Sequence, residues 1–183
     1  MEARPRAIAC LLWLPAVRDD DRIVGPFRHD RRMTSWTDFA GAQPDLAHRV
    51  RQCFAIRKHA TLATLRRDGS PRISGIEVDF SDDGLHLGMM PGSLKALDLR
   101  RDPRLALHCP TEDTPENDPS SWLGDAKIAG RATEVSASAG IDEALRFSVD
   151  VLEVVHITVG TPADHLVIES WHPDRGLDHR KRR

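Results

Sequence analysis

Residues 59–110 read HATLATLRRDGSPRISGIEVDFSDDGLHLGMMPGSLKALDLRRDPRLALHCP, and their punctuation decides the fold. Asp68-Gly69 separates an alternating run (Ala60, Leu62, Thr64) from a β-branched one (Ile73, Ile76, Val78), the signal of a hairpin. Asp83-Gly84 repeats the device before Leu85, Leu87 and Met89. The break Pro91-Gly92-Ser93 then places Ser93 as N-cap of a helix over LKALDLRRD, which Asp102-Pro103 stops because the residue before proline is pushed out of the α region. A fourth strand follows through Leu105, Leu107 and Cys109. The first N–H groups of that helix have no internal acceptors and its dipole is positive there, so the turn can hold an anion. Lys95 adds a full charge in the same turn, where a cation alone costs ~0.3–1 kcal/mol unless solvent or a phosphate neutralises it.

Upstream, Pro44-Asp45 opens a helix with Asp45 as cap. Leu46, Val50, Cys53 and Phe54 form its apolar face, and it ends near Arg57-Lys58. Residues 1–32 read differently from the rest. Their basic start and apolar run AIACLLWLPAV resemble a signal peptide, but Arg18-Asp19-Asp20-Asp21-Arg22 follows without a cleavage pattern, and the run is too short to span a bilayer. The coherent pattern begins at Met33, so residues 1–32 are expected to be disordered or an over-extended reading frame. Downstream, 111–121 (TEDTPENDPSS) is an acidic loop, either an insertion or a flap over a site. Ala126 to Val135 reads as a fifth strand with Gly130 at a bulge or close approach. Ser138 to Phe147 reads as a third helix, Val151–Val159 as a sixth strand and His165–Trp171 as a seventh. The segment 33–177 is thus one domain, and 178–183 a basic tail that frays.

The chain has 183 residues, enough for one self-sufficient core. A net charge of −2 gives no global pull towards nucleic acid or membrane. Four cations at Arg180–Arg183 are better read as solvation than as nucleic-acid recognition. Three cysteines without CxxC spacing point to a reducing, cytoplasmic compartment and away from a disulfide framework or structural zinc, so no metal is expected. Nine histidines show no HExxH-type spacing, and His86 and His108 read as structural. With no tyrosine, tyrosine acid–base chemistry is excluded. Seven or so antiparallel strands with helices in the connections predict a small barrel.

The order helix, three-strand meander, GSxK helix, DLRRDPR, strand resembles the pyridoxamine 5′-phosphate oxidase-like split-barrel flavoproteins, which include deazaflavin-dependent reductases. The resemblance covers residues 45–172, most specifically LATLRRDGSPR (62–72) and GSLKALDLRRDPRLAL (92–107). It implies a split β-barrel, mainly β with flanking helices and six to seven strands. It further implies a homodimer that binds FMN at the subunit interface and oxidises or reduces a small molecule. The deazaflavin coenzyme F-420 is the alternative, and a non-catalytic flavin or haem carrier the rival from another class. By position, Arg72 and Ser74 on the second strand, Met89 and Met90 at the end of the third, and Ser93 and Lys95 at the helix start match cofactor-binding residues. Trp171 matches a strand tryptophan, and Arg175 and Arg180 the arginines that follow it. Trp122 is better read as packing than as a cofactor contact.

The departures matter too. Glu77 stands where the oxidase pattern has a lysine, Gly88-Met89 where it has tyrosine–threonine, and Leu94 where it has an arginine. Half the phosphate clamp is absent, so pyridoxamine phosphate oxidation itself is not expected. No acid, base or nucleophile stands out, which suits chemistry centred on a cofactor.

Overall fold

The computed structural model describes residues 32–135 and 144–183. Its strands are β1 His59–Leu65, β2 Pro71–Ser81, β3 Gly84–Met89, β4 Arg104–His108, β5 Asp125–Val135, β6 Leu145–Val159, β7 Leu166–His172 and β8 Gly176–Arg182. The helices are α1 Trp36–Ala42, α2 Pro44–Ala55 and α3 Leu94–Arg101, with a single 3-10 turn at Pro119–Ser121.

All eight strands form one antiparallel sheet in the order β3-β2-β1-β4-β5-β6-β7-β8, and pairing of β3 with β6 closes the first six into a barrel. The length of β6 makes this possible. One edge runs along β5, while the other is shared by β3 at Leu145–Ser148, a bridge from Thr34 at Val151, and β7 at 154–159. The strand leaves the barrel as it proceeds, and β7–β8 form a wing beyond it. Inside, Leu62, Ile76, Leu85, Leu87, Leu107, Ile128 and Phe147 are buried, each from the inward register of its strand.

The hairpin signals hold. Gly69 has φ 83° in the β1–β2 turn, where Asp68 Oδ1 accepts from the Ser70 amide at 2.9 Å, and Gly84 has φ 140° before β3. The β5–β6 register shifts at Ala129/Gly130, and a Cβ placed on Gly130 would fall onto the carbonyl oxygen of Asp150. Gly130→Ala is therefore expected to destabilise the fold by about 2–3 kcal/mol, read as a fall in the thermal unfolding midpoint. An unchanged midpoint would show that the bulge can open.

Three readings need correction. Gln43, not Asp45, caps α2; Pro44 takes the first helical position, whose orphan N–H proline does not need, and Asp45 sits in the first turn. Residues 145–147, read as the end of a helix, are strand: β3 and β5 flank them, and two ladders outweigh a local helical pattern. Positions 138–143 of that reading lie outside the described residues, as does the span 1–31. Finally, the stretch read as a fraying tail is β8, with Leu177 opposite Trp171 and Arg182 opposite Leu166. It is an outer strand whose charges oppose further edge-to-edge pairing.

The helix α1 is an addition. Ser35 caps it, accepting from the Asp38 amide at 3.0 Å and donating to the Asp38 carboxylate at 2.8 Å. It delivers Trp36 and Phe39 to an aromatic cluster with Phe80 and Trp171, with ring centroids 4.7–5.0 Å apart. No helix among the described residues is long and apolar enough to cross a membrane.

Candidate functional site

The turn before α3 is built by Gly92 at φ 72° and by the Ser93 amide, which donates to the Met90 carbonyl at 3.3 Å. Ser93 occupies the N-cap, and its carbonyl accepts from the amides of Ala96 and Leu97 at 3.0 and 3.2 Å. Its hydroxyl does not cap. Ser93 Oγ is buried and has no hydrogen-bond partner among the described residues. A buried hydroxyl left in that state costs about 1–3 kcal/mol, and none of the described residues offsets it here.

One turn further, Asp98 is buried and gathers three donors. Arg72 Nε donates to its Oδ2 at 2.6 Å, Thr64 Oγ1 to the same oxygen at 3.0 Å, and Arg101 to Oδ1 at 3.1 Å. Burial disfavours the charge, but the bonds from Arg72, Arg101 and Thr64 outweigh it and hold the carboxyl below its ordinary range. The pairing register explains the assembly: Thr64 lies opposite Arg72, so both point inwards at the mouth that α3 covers. Asp98 engages Arg72 through Nε, and the terminal guanidinium nitrogens of Arg72 have no partner among the described residues. An arginine fixed through Nε presents its outer edge to a ligand.

Lys95 is tied to the same strand, donating from Nζ to the Gly75 carbonyl at 2.6 Å. Arg72 through Asp98 and Lys95 through Gly75 thus each join β2 to α3, while Ser74 lies on β2 two residues beyond Arg72 and on the same face. Beside it runs an open groove of about 490 Å³ lined by four arginines, Arg66, Arg67, Arg72 and Arg101, against two aspartates, Asp68 and Asp98, with Leu94 and Leu97 as apolar wall. The excess of cations favours an anionic occupant.

The other expected residues lie elsewhere. Met89 is buried in the barrel, whereas Met90 is 78% exposed at the turn leading to Ser93. Trp171 is buried on β7 against Phe39. Arg175 is exposed in the β7–β8 turn, and Arg180 on β8 pairs with Asp178 at 2.7 Å; neither lines the groove. Glu77, the acid that would have repelled a phosphate, points to the other face of β2 and pairs with Lys58 at 3.0 Å. Trp122 is half-buried and donates to the Glu112 carbonyl at 3.1 Å, closing the acidic loop on itself.

Sequence reading missed Asp98, Thr64 and Arg101. The available signal was the i, i+3 pair Asp98/Arg101 within DLRRDPR, with a strand-borne arginine on the neighbouring hairpin.

No protein-family model matches the chain. No curated protein matches it in sequence. Solved structures do resemble it. A pyridoxamine 5′-phosphate oxidase-related FMN-binding protein from Nostoc punctiforme PCC 73102 is similar at TM-score 0.57 and 12% identity, over 80% of this chain and 99% of that one. Campylobacter jejuni ChuZ is similar at TM-score 0.54 and 12% identity, over 78% of this chain and 63% of its own. PhzG from Burkholderia lata 383, solved with tetrahydrophenazine-1-carboxylic acid, is similar at TM-score 0.50 and 13% identity, over 80% and 87%. At such identities the likeness is one of fold: the chain is a split barrel of the pyridoxamine 5′-phosphate oxidase-like kind.

Proposed function

We propose that this split barrel is a flavin-dependent oxidoreductase that binds FMN as a homodimer, with the FMN phosphate at the N-terminus of α3. The observation that carries the reading is the buried Ser93 hydroxyl, without a partner among the described residues, at the start of a helix that has Lys95 in its first turn and Arg72 held on its Asp98. A phosphate would give the Ser93 hydroxyl its missing partner and add an anion to the cations beside it. It accepts from Ser93 Oγ, from the free amides of the first turn, from the outer edge of Arg72 and from Lys95. Bound there, FMN would supply the hydride chemistry itself. The chain anchors the phosphate, and the exposed side chains of Met90, Leu94 and Leu97 offer apolar surface to the ring and to a second copy. Ile73, 75% exposed on the outer face of β2, is a further contact for that copy. The printed description of the Nostoc protein as FMN-binding supports the cofactor, and the buried free thiols of Cys53 and Cys109 suit a reducing cytoplasm.

A deazaflavin coenzyme carries a longer, acidic tail, for which the basic segment DLRRDPR is the candidate partner. Those arginines are engaged within the chain: Arg100 with Glu134 at 2.7 Å, Arg101 with Asp98 at 3.1 Å and Arg104 with Asp102 at 2.6 Å. Their engagement within the chain weakens the pull of this segment on a longer acidic tail and supports the FMN reading. Haem suits the groove least, since no histidine, cysteine or methionine lines it to serve as axial ligand.

Absorption and fluorescence titrations of the purified dimer with FMN, and separately with the deazaflavin coenzyme, test the reading. FMN is expected to saturate one site per chain, and Lys95→Ala to weaken it about ten- to a hundredfold, the worth of one charge-assisted hydrogen bond. A folded protein that binds neither cofactor overturns the proposal.

A further inference from the structure

α3 leads into β4 at Arg104, and the strand ends at His108, so a second cluster of polar side chains lies at the end of β4 remote from the groove. His108, Cys109 and Asp125 meet there because the Cys109 amide donates to the Ala126 carbonyl at 2.9 Å as β4 pairs with β5. One imidazole nitrogen, one sulfur and one carboxylate oxygen lie within 4.8 Å of one another.

The protons are placed so that three lone pairs converge. His108 Nδ1 lies 2.7 Å from the Cys109 carbonyl oxygen, and a carbonyl only accepts, so Nδ1 carries the hydrogen. Nε2 is thereby turned towards Asp125, 3.9 Å from Oδ2, too far for a hydrogen bond and a suitable spacing for two ligands of one ion. Asp125 Oδ1 is buried and has no hydrogen-bond partner among the described residues. Cys109 Sγ accepts from the Ala126 amide at 3.1 Å. Nδ1 held by a backbone carbonyl and a sulfur held by an amide are the supporting contacts that orient metal ligands.

We propose that His108 Nε2, Cys109 Sγ and Asp125 form a three-ligand site for a divalent transition metal of the zinc type, with the fourth position open. Nitrogen, sulfur and oxygen donors in one cluster match zinc and its substitutes and not the oxygen-only preference of calcium or magnesium. Tetrahedral bonds would set the ligand atoms about 3.5 Å apart, a modest closure from the present spacing. The expectation that the chain carries no metal rested on the lack of a CxxC or HExxH spacing. Here the ligands come from the last residue of β4, the residue that follows it and the first residue of β5, which a motif search does not join.

The test is titration of the full, reduced, metal-free chain with Co²⁺, followed by displacement with Zn²⁺. One equivalent per chain is expected, with near-ultraviolet thiolate-to-cobalt absorption and a raised unfolding midpoint. Cys109→Ser should abolish the absorption, and Asp125→Asn and His108→Gln should weaken binding at least tenfold, whereas Cys10→Ser should leave it unchanged. The partly exposed His108 and Asp125 keep the test valid where the buried Cys109→Ser variant fails to fold. Absence of the thiolate band, or a band lost with Cys10→Ser or kept in both His108→Gln and Asp125→Asn, overturns the site.

Discussion

Asp98→Ala is expected to destabilise the protein by about 3–5 kcal/mol and to abolish FMN binding. The carboxylate is 3% exposed and accepts from Arg72, Arg101 and Thr64, so its removal strands a half-buried guanidinium and a buried hydroxyl together. In a domain of this size the unfolding midpoint should fall by roughly 6–20 °C. Asp98→Asn separates charge from shape, since the amide fills the same space and leaves Arg72 without its counter-charge. The effect depends on pH in a definite direction. The folded-state pKa of Asp98 is depressed, so its contribution is complete above the unfolded value near ~3.9 and is lost as pH falls through the lower folded value. The stability gap between wild type and Asp98→Asn should be constant from neutrality to about pH 5 and narrow below about pH 4. A gap that widens on acidification would contradict the assignment. A variant of near-wild-type stability that still binds FMN would show that Arg72 does not depend on Asp98.

Phe39→Ala is the second large effect, at about 3–5 kcal/mol. Phe39 is fully buried, with its ring 5.0 Å from Trp36 and 4.7 Å from Trp171. Its truncation opens a cavity between α1 and the β7 wing, among aromatic rings that cannot collapse into the space. Ser35→Ala removes only the cap of the same helix and should cost about 1 kcal/mol. Chemical denaturation of the two variants, compared at equal slope, reads the difference. Equal and small losses would mean that α1 is a detachable cover and not part of the core.

These two residues also show where the sequence was legible. The β1–β2–β3 meander, the α3 start and the Gly130 bulge were readable because each depends on local chemistry: a positive φ, a proline, a capping serine, a two-residue period. Helix α1 was missed because seven residues give too little periodicity. Its mark, Ser35 three residues before Asp38, is a capping signal that needs no apolar stripe. The strand β8 was missed because its sequence, GLDHRKR, carries almost no apolar alternation; it is a strand because β7 offers an open edge after the Gly176 turn. The span 145–147 failed for the same reason in reverse, as pairing on two sides fixed a strand. Of the residues around the α3 start, Ser93 and Lys95 were singled out by helix-terminus physics and Arg72 by the resemblance. Asp98 was not, because a buried carboxylate inside a basic run looks like a surface charge until the hairpin places Arg72 over it. Trp171 matched by position, yet its environment is the aromatic core, which only the packing of α1 reveals.

The central claim is that the α3 turn holds a phosphate, and the direct measurement is the affinity of the same preparation for FMN and for riboflavin, which has the same ring without the phosphate. Charge-assisted bonds from Arg72 and Lys95, with Ser93 and the first-turn amides, predict that FMN binds at least about a hundredfold more tightly, and that Lys95→Ala narrows the ratio by weakening FMN alone. Equal affinities for the two ligands, or a Lys95→Ala loss shared by both, would contradict a phosphate site at Ser93.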